Sequence, residues 1–510
     1  MSDQGAPYSD QETVVPGRSN DSRDQNSKEK DLEQGEKGEQ IAETPTKDPN
    51  IVDWDSPDDP ANPLNWSGLK KALHVAYVSL FVLYANLAST MFAPGAAQLV
   101  QEFYITSSVV ATFTVSIYVL GFMVGPMFLA PLSELYGRLI IYHVCNAIYL
   151  CFTLGCALSK NTAMFLVFRF LAGCASAGPL TIGGGTIADV TPQEKRGKAM
   201  AMFVIGPLLG PSIGPIIGGF VSQNIGWRWT FWIILILSGS LAVVALLFLR
   251  ETNARILLQR KTERLRKETG NTKLVSKLDT KLSPRELLSR SIIRPAKMIL
   301  FSPITFLLSI YGGVLFGLVF LLFTTFPSVF EEQYQFSPGS VGLAYLGLGI
   351  GMIFGLVFFI ILSDKLLGQP AGGQVAKPEK RLILMKWFAP ITPIGCFIYG
   401  WSAYYKTHWI VPEIGTFIVG LGGLFVMLPT QSYLVDAFGP EAAASALAAN
   451  VIIRSPFGAF LTFAAPPLYS NLGLGWGNSV LGFICLAFTP VPWLFYHYGE
   501  YLRTRFAVKL

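Results

Sequence analysis

Few side chains in this chain can do chemistry, and those that can are set at intervals along apolar runs. Arg169 opens the stretch Arg169-Phe170-Leu171-Ala172-Gly173, about two turns inside a hydrophobic segment. A guanidinium does not give up its proton in practice, so it cannot itself be the proton carrier. Buried in a membrane span it must find carbonyls, a carboxylate or a water-filled cavity, which marks it as a functional candidate. The plain alternative is snorkelling of its head group to the near interface. A second group of charges stands at helix ends: Glu134 and Arg138 in Ser133-Glu134-Leu135-Tyr136-Gly137-Arg138, then Asp189, Glu194 and Arg196 in the next connecting loop on the same side. Opposite charges placed there can bridge helices in one state and part in another. Ordinary solvated loop charge, worth ~0–1 kcal/mol per exposed pair, is the bland reading. Asp189, Glu331, Glu332, Glu413, Asp436 and Asp364 all fall near span ends, and none is singled out as a proton carrier.

The elements that position these groups are set by a glycine-proline ladder, Gly206-Pro207-Leu208-Leu209-Gly210-Pro211-Ser212-Ile213-Gly214-Pro215-Ile216-Ile217-Gly218-Gly219. Three prolines at four-residue spacing would break a soluble helix, because each removes an N–H and clashes with the carbonyl one turn back. Within a membrane, neighbouring helices can satisfy the freed carbonyls. The glycines recur every four residues and form a flat stripe for close helix packing. The stretch therefore reads as a bent helix at a tight, moving contact.

Composition places the whole chain in a membrane. Hydrophobic residues make up 51% of 510 and charged residues 14%, with a mean hydropathy of +0.44, too few charges to cover a water-soluble surface of this size. The net charge of +6 sits in loops between apolar spans, which argues for membrane orientation and against nucleic acid. Twelve apolar spans are expected, at 72–94, 109–131, 139–159, 163–188, 198–221, 228–250, 303–327, 338–362, 384–403, 408–431, 442–465 and 475–498. Each is near the ~20 residues needed to cross ~30 Å of hydrocarbon. The expected organisation is a polar, disordered tail at 1–66, a six-helix bundle at 67–250, a central loop at 251–300, a second bundle at 301–498 and a tail at 499–510. The central loop holds 13 Lys or Arg, whereas the loops at 95–108, 222–227, 328–337 and 466–474 hold none, so both termini and the central loop are expected in the cytoplasm. The Glu251 to Lys267 stretch fits either an amphipathic helix on anionic lipid or a solvated charged helix. Cys145, Cys151, Cys156, Cys174, Cys396 and Cys485 lie in apolar stretches without a C-x-x-C pair and read as small core residues.

Six spans on each side of a long middle loop suggest two bundles rocking around a central site. The ordered matches resemble the major facilitator superfamily, and within it the fungal 12-helix drug:proton antiporters. They run from Asn62-Pro63-Leu64-Asn65-Trp66 through the Ser133-to-Arg138 loop, Arg169, Gly214-Pro215-x-x-Gly218-Gly219 and Arg264-Leu265-Arg266-Lys267 to Ala448-Ala449-Asn450 and Arg454-Ser455. The resemblance covers about residues 54 to 505 and implies an all-α membrane fold of two six-helix bundles. It also implies proton coupling and gating through Arg169, Glu134, Arg138, Asp189 and Arg196, and an antiporter motif at Gly210, Gly214, Pro215, Gly218 and Gly219. Departures from the pattern are Leu139, where a second basic residue is usual, and Ala130 and Ala201, where glycine is usual. The resemblance further places the partner of the ladder in the other bundle.

For cargo the spans offer aromatic and neutral polar groups: Asn86, Tyr118, Tyr311, Phe316, Tyr345, Gln431, Asn450 and, beside it, Arg454, with Tyr84, Phe320 and Tyr433 near them. Such a surface suits a bulky, largely apolar molecule with a few hydrogen-bonding atoms. The expectation is a secondary transporter, not an enzyme, that exports a drug, toxin or fungal secondary metabolite by proton antiport. It is expected to act as a monomer, without cofactor or metal, in the plasma membrane, with the vacuolar membrane as the alternative. A proton-linked carrier of a polyamine, organic acid or sugar on the same fold is the competing class. A metalloenzyme is disfavoured because His74, His143, His408 and His497 stand far apart, and ATP drive because no Walker-type phosphate loop occurs.

Overall fold

The computed structural model describes residues 50–192, 196–279, 283–366 and 377–506. Residues 1–49 of the expected tail, Glu194 and residues 507–510 lie outside the described residues, as do the side chains of Arg196 and Asp364. The first half comprises α1 (Gly68–Met91), α2 (Ser108–Tyr136), α3 (Arg138–Ala157), α4 (Thr162–Val190), α5 (Arg196–Ile225) and α6 (Arg228–Phe248). Two loop helices follow, Ala254–Thr269 and Pro284–Phe301. The second half comprises α7 (Pro303–Tyr334), α8 (Leu346–Leu366), α9 (Ile391–Tyr404), α10 (410–438), α11 (440–472) and α12 (474–505). Gly439 and Gly473, with φ of 67° and 71°, make the turns between α10, α11 and α12. A left-handed conformation of this kind is open to glycine at no steric cost.

Local sequence sets the helix starts. Ser67, Ser107, Asn161 and Ser302 each accept a hydrogen bond from a main-chain N–H in the first turn of α1, α2, α4 and α7. The two halves repeat one packing scheme. In the first, α1 lies on α5, α2 on α4, and α3 on α6. In the second, α7 meets α11 where Gly313 and Gly317 face Phe457, α8 meets α10 where Gly351 and Gly355 face Phe417 and Leu421, and α9 meets α12 through Trp401 Nε1 donating to Ser479 at 3.1 Å.

The ladder keeps its helix because α1 completes it. Pro215 frees the carbonyl of Pro211, and the Thr90 hydroxyl of α1 donates to that oxygen at 3.2 Å. The glycine stripe also faces α1: a Cβ at Gly206 would lie 2.9 Å from Leu83 N, one at Gly210 2.7 Å from Leu87 N, and one at Gly214 2.7 Å from Leu87 O, while Gly218 faces the Met91 carbonyl. The expectation of a partner in the other half is thereby corrected. The stripe is the seat of α1 within the same half, and the other half meets a different face of α5. There a Cβ on Gly342 would lie 2.5 Å from Pro215 O, Gly349 faces Ser212, and Gly339 N donates to Gln223 Oε1 at 2.6 Å. Phe113 of α2 and Phe463 of α11 add an edge contact, their rings 5.3 Å apart. These contacts lie at the end of the bundle away from the central loop, here termed the far end.

Residues 50–66, expected within a disordered tail, are docked. Ile51–Val52 (β1) pairs in parallel with Val275–Ser276 (β2) of the central loop. Lys261 bonds the Asp53 carbonyl at 3.0 Å and Asp55 at 2.6 Å, and Lys277 meets Asp53 at 2.7 Å. The Asn65 side chain clasps the carbonyls of Pro57 and Asp59. Main-chain N–H groups of Ala61 and Asp55 hold the Asp59 carboxyl below the usual carboxylate range. The first loop helix buries Ile256 and Leu258 against protein, so its apolar side is not free for a lipid surface, the first of the two alternatives for this stretch. Among the cysteines, Cys145, Cys156, Cys396 and Cys485 are buried, but Cys151 is exposed.

Candidate functional site

At the loop end of the first half, the predicted charges form a network around a residue the sequence did not single out. Arg138 opens α3 after Gly137, whose φ of 102° offers no side-chain cap. Glu251, 5% exposed, supplies the cap from the end of α6: its carboxylate accepts from the main-chain N–H of Arg138 at 2.9 Å, Leu139 at 3.2 Å, Thr252 at 3.0 Å and Asn253 at 2.9 Å. The Arg138 guanidinium then reaches Ser133 Oγ at 2.6 Å and Asp189 of α4 at 3.4 Å. Leu139, where a second cation was missing, instead packs into the core and gives its N–H to Glu251. Glu134 is exposed and makes no ion pair among the described residues. The second half repeats the arrangement: Arg381, ten residues before α9 and at the start of the helix Leu382–Phe388 that leads into it, pairs with Asp436 at the end of α10 at 2.7 Å. The internal repeat was the available signal for this pair.

Arg169 is 2% exposed, so its head group does not snorkel. It donates to the Ser89 carbonyl of α1 at 3.3 Å and lies over the rings of Tyr118, Phe231 and Phe92 at 4.8, 5.3 and 5.6 Å. Its Nε has no partner, and no carboxylate meets it among the described residues. Carbonyl and ring quadrupoles therefore take the role of counter-charge.

The eight cargo candidates do not form one surface. Tyr118 is under Arg169 and donates to the Ala85 carbonyl at 2.9 Å; Tyr345 donates to the Phe323 carbonyl at 2.6 Å; Tyr311 is wholly buried with its ring stacked on Phe488. Asn86 is bonded to the Val82 carbonyl beside Gly210, in the α1–α5 contact. Gln431 is half-buried on α10. Three candidates do come together between α7 and α11, near α2. Asn450 bonds Ser309 at 3.2 Å, Arg454 lies over Phe316 at 5.1 Å, and Gly458, one turn on, packs between Phe316 and Val119 of α2. Arg454 is half-buried and its Nε is unpartnered. Above this seam a cavity of about 670 Å³ opens at the far end, bounded by Ser108 and Thr112 of α2 and by Thr324, Ser328 and Glu332 of α7.

Glu413 was named in the sequence only as a carboxylate near a span end. In the structure it is 9% exposed in the first turn of α10. One oxygen accepts from Gly347 N of α8 at 2.9 Å, the other has no partner, and no cation pairs with it among the described residues. The bond is available because the chain entering α8 is a tighter 3-10 turn at Gly342–Tyr345, which frees the next N–H groups.

Twelve apolar helices in two repeated halves, with an arginine enclosed in the first half, another half-buried at the seam and paired charges at their loop ends, define a membrane transporter of the two-bundle type. The chain belongs to the Major Facilitator Superfamily, whose profile matches residues 77–463. It is 67% identical over 463 residues to "MFS transporter fsa7" of a Fusarium species, with 91% of each chain covered. It is 66% identical to "MFS-type transporter MFS19" of Alternaria alternata, over 90% of this chain and 94% of that one. To the "Trichosetin biosynthesis cluster MFS transporter" of Gibberella fujikuroi the identity is 62%, over 92% of each. Among solved structures, the partially occluded inward open conformation of the xylose transporter XylE from E. coli superposes with a TM-score of 0.63 over 84% of this chain and 98% of that one. At 16% identity that likeness concerns the fold alone.

Proposed function

We propose that this chain exports a small, largely apolar organic compound, of the drug, toxin or fungal secondary-metabolite kind, from the cytoplasm in exchange for protons. The observation that carries the reading is the seam between α5 and α8, shut at the far end by the Gly342–Pro215 and Gly349–Ser212 contacts. With the 13 basic residues of the central loop on the cytoplasmic side, these contacts lie at the outer end of the seam between the halves, where an exporter must part them to release its cargo. The naming of a 62% identical relative for a biosynthesis cluster supports outward transport of a product made inside the cell. The plasma membrane is the site that fits this role, with the vacuolar membrane as the alternative; the protein works as a monomer.

Energy comes from the proton gradient. A potential of 100 mV supplies ~2.3 kcal/mol per proton, and two pH units about 2.7 kcal/mol more. Together they support roughly a thousandfold or greater outward gradient of neutral cargo. Collapsing the proton gradient while ATP is maintained is expected to abolish efflux from cells; unaffected efflux under those conditions overturns the reading. Arg169 organises the polar interior of the first half rather than its fold. Arg169→Ala is expected to lower efflux more than about tenfold at equal surface level, and Arg169→Lys to recover little, because a point charge does not reproduce the planar guanidinium over three rings. Wild-type efflux by the alanine variant would remove Arg169 from the mechanism.

A further inference from the structure

Two arginines are held in the membrane interior, and their surroundings differ. Arg169 is enclosed, with a carbonyl and three rings around it. Arg454 has one ring, that of Phe316, an unpartnered Nε and a half-buried side chain at the seam where α11, α7 and α2 meet. The acids of those helices are remote. Glu331 and Glu332 lie 15 and 16 residues beyond Phe316 along α7, and Glu134 lies 15 beyond Val119 along α2. At 1.5 Å per residue that is roughly 22 Å or more. Glu441, 13 residues back on α11, is roughly 20 Å away, and Asp436 is engaged by Arg381. A cation held in a membrane without a counter-charge is costly, and such residues mark the path of a charged ligand or ion.

We infer that Arg454 is the anchor for an acidic head group, so that the cargo is an organic anion with an apolar body. The deduction rests on the export reading for its direction and adds the chemical class. The guanidinium fork matches the two oxygens of a carboxylate or sulfonate, and the Phe316 ring beside it gives the adjoining apolar part a surface. Asn450, one turn earlier on α11 and steadied by Ser309, frames the same side of the helix. An anionic cargo also gains from the cell's potential. Each negative charge moved outward down an inside-negative potential of 100 mV adds about 50-fold to the attainable gradient.

The test uses purified full-length protein and a matched pair of dyes: anilinonaphthalene sulfonate, and N-phenylnaphthylamine, which lacks the sulfonate. The wild type is expected to bind the sulfonate at least about tenfold more tightly than the neutral dye. Arg454→Gln is expected to erase that preference while leaving the neutral dye within about twofold, and Arg454→Lys to restore part of it. A wild type that prefers the neutral dye, or a glutamine variant that loses both dyes equally, overturns the assignment. Should the glutamine variant fail to fold, competition on the wild type decides: dodecanoate displaces the bound sulfonate and methyl dodecanoate does not, whereas equal displacement by the two refutes the anion site. Binding is read without any gradient. A protein that ignores the proton gradient therefore defeats the antiport reading and leaves this one standing, while a proton-driven exporter without anion preference does the reverse.

Discussion

Replacing Glu413 by glutamine is expected to cut proton-driven efflux at least about tenfold while leaving cargo-for-cargo exchange within about twofold. The geometry sets the two readouts apart. Glutamine keeps the shape of the side chain and a carbonyl oxygen for Gly347 N, so the 2.9 Å link between α10 and α8 survives. What it loses is the ability to take up and release a proton at the second oxygen, which is unpartnered. Burying a charge without a partner is far more costly than burying a neutral group. Gaining a proton therefore favours the packed arrangement of α8, and losing it favours release. Gly349, on the opposite face of α8 from Gly347, meets Ser212 of α5, and Gly342 in the turn entering α8 meets Pro215, so a change at Glu413 is felt at the seam between the halves. The titratable groups near it are tyrosines: Tyr399 of α9, with Tyr334, Tyr345 and Tyr469 around that ring, and then Glu331 beyond Tyr345. None of these supplies a positive charge. Glu413→Asp is expected to retain part of the coupling. Efflux by the glutamine variant that rises with the proton gradient as steeply as the wild type would show that Glu413 only joins helices.

Helix number and the two-half plan were legible in the sequence because span length and hydropathy are local properties. Facing is not local. A glycine every four residues announces that some backbone comes close, but only the Thr90 hydroxyl and the carbonyls of Leu87 and Met91 reveal that it is α1. Aromatic residue types likewise mark neither lining nor core: Tyr118 and Tyr345 spend their hydroxyls on the carbonyls of Ala85 and Phe323, and Arg454 with Phe316 stays available. The polar composition of residues 50–66 argued for disorder because it cannot build a core alone. It is ordered by partners more than 200 positions later, Lys261 and Lys277, which no windowed reading connects to it. Glu251 was hidden for a similar reason. It stands at the edge of a basic loop, and its role as the cap of α3 follows from the bare Gly137 turn 114 residues earlier.

Because α5 shows its glycine stripe to α1 and another face to α8, bulky substitutions on its two sides are expected to fail in different ways. At Gly218 an added side chain meets the Met91 carbonyl, and the helices concerned belong to one half. Overpacking of this kind costs typically ~1–3 kcal/mol and more where backbone must move. Gly218→Leu is therefore expected to lower the melting temperature and the amount of protein reaching the membrane. Gly342→Leu acts at the seam. Its side chain would press on Pro215 O and Ile216 Cα, 2.5 and 2.7 Å from the Cβ position, and these atoms belong to the opposite half, which can withdraw as a body. The closed far end is then disfavoured by the same ~1–3 kcal/mol, a shift of about 5- to 150-fold toward the outward-facing state. Surface level is expected to stay near normal, efflux to fall by a comparable factor, and a cysteine placed at Ser212, 5% exposed in the closed seam, to label faster with an impermeant maleimide added outside. Normal efflux and unchanged labelling in Gly342→Leu would mean that the α5–α8 contact does not close in the transport cycle; loss of the folded protein in Gly342→Leu, with Gly218→Leu unaffected, would reverse the assignment of the two faces.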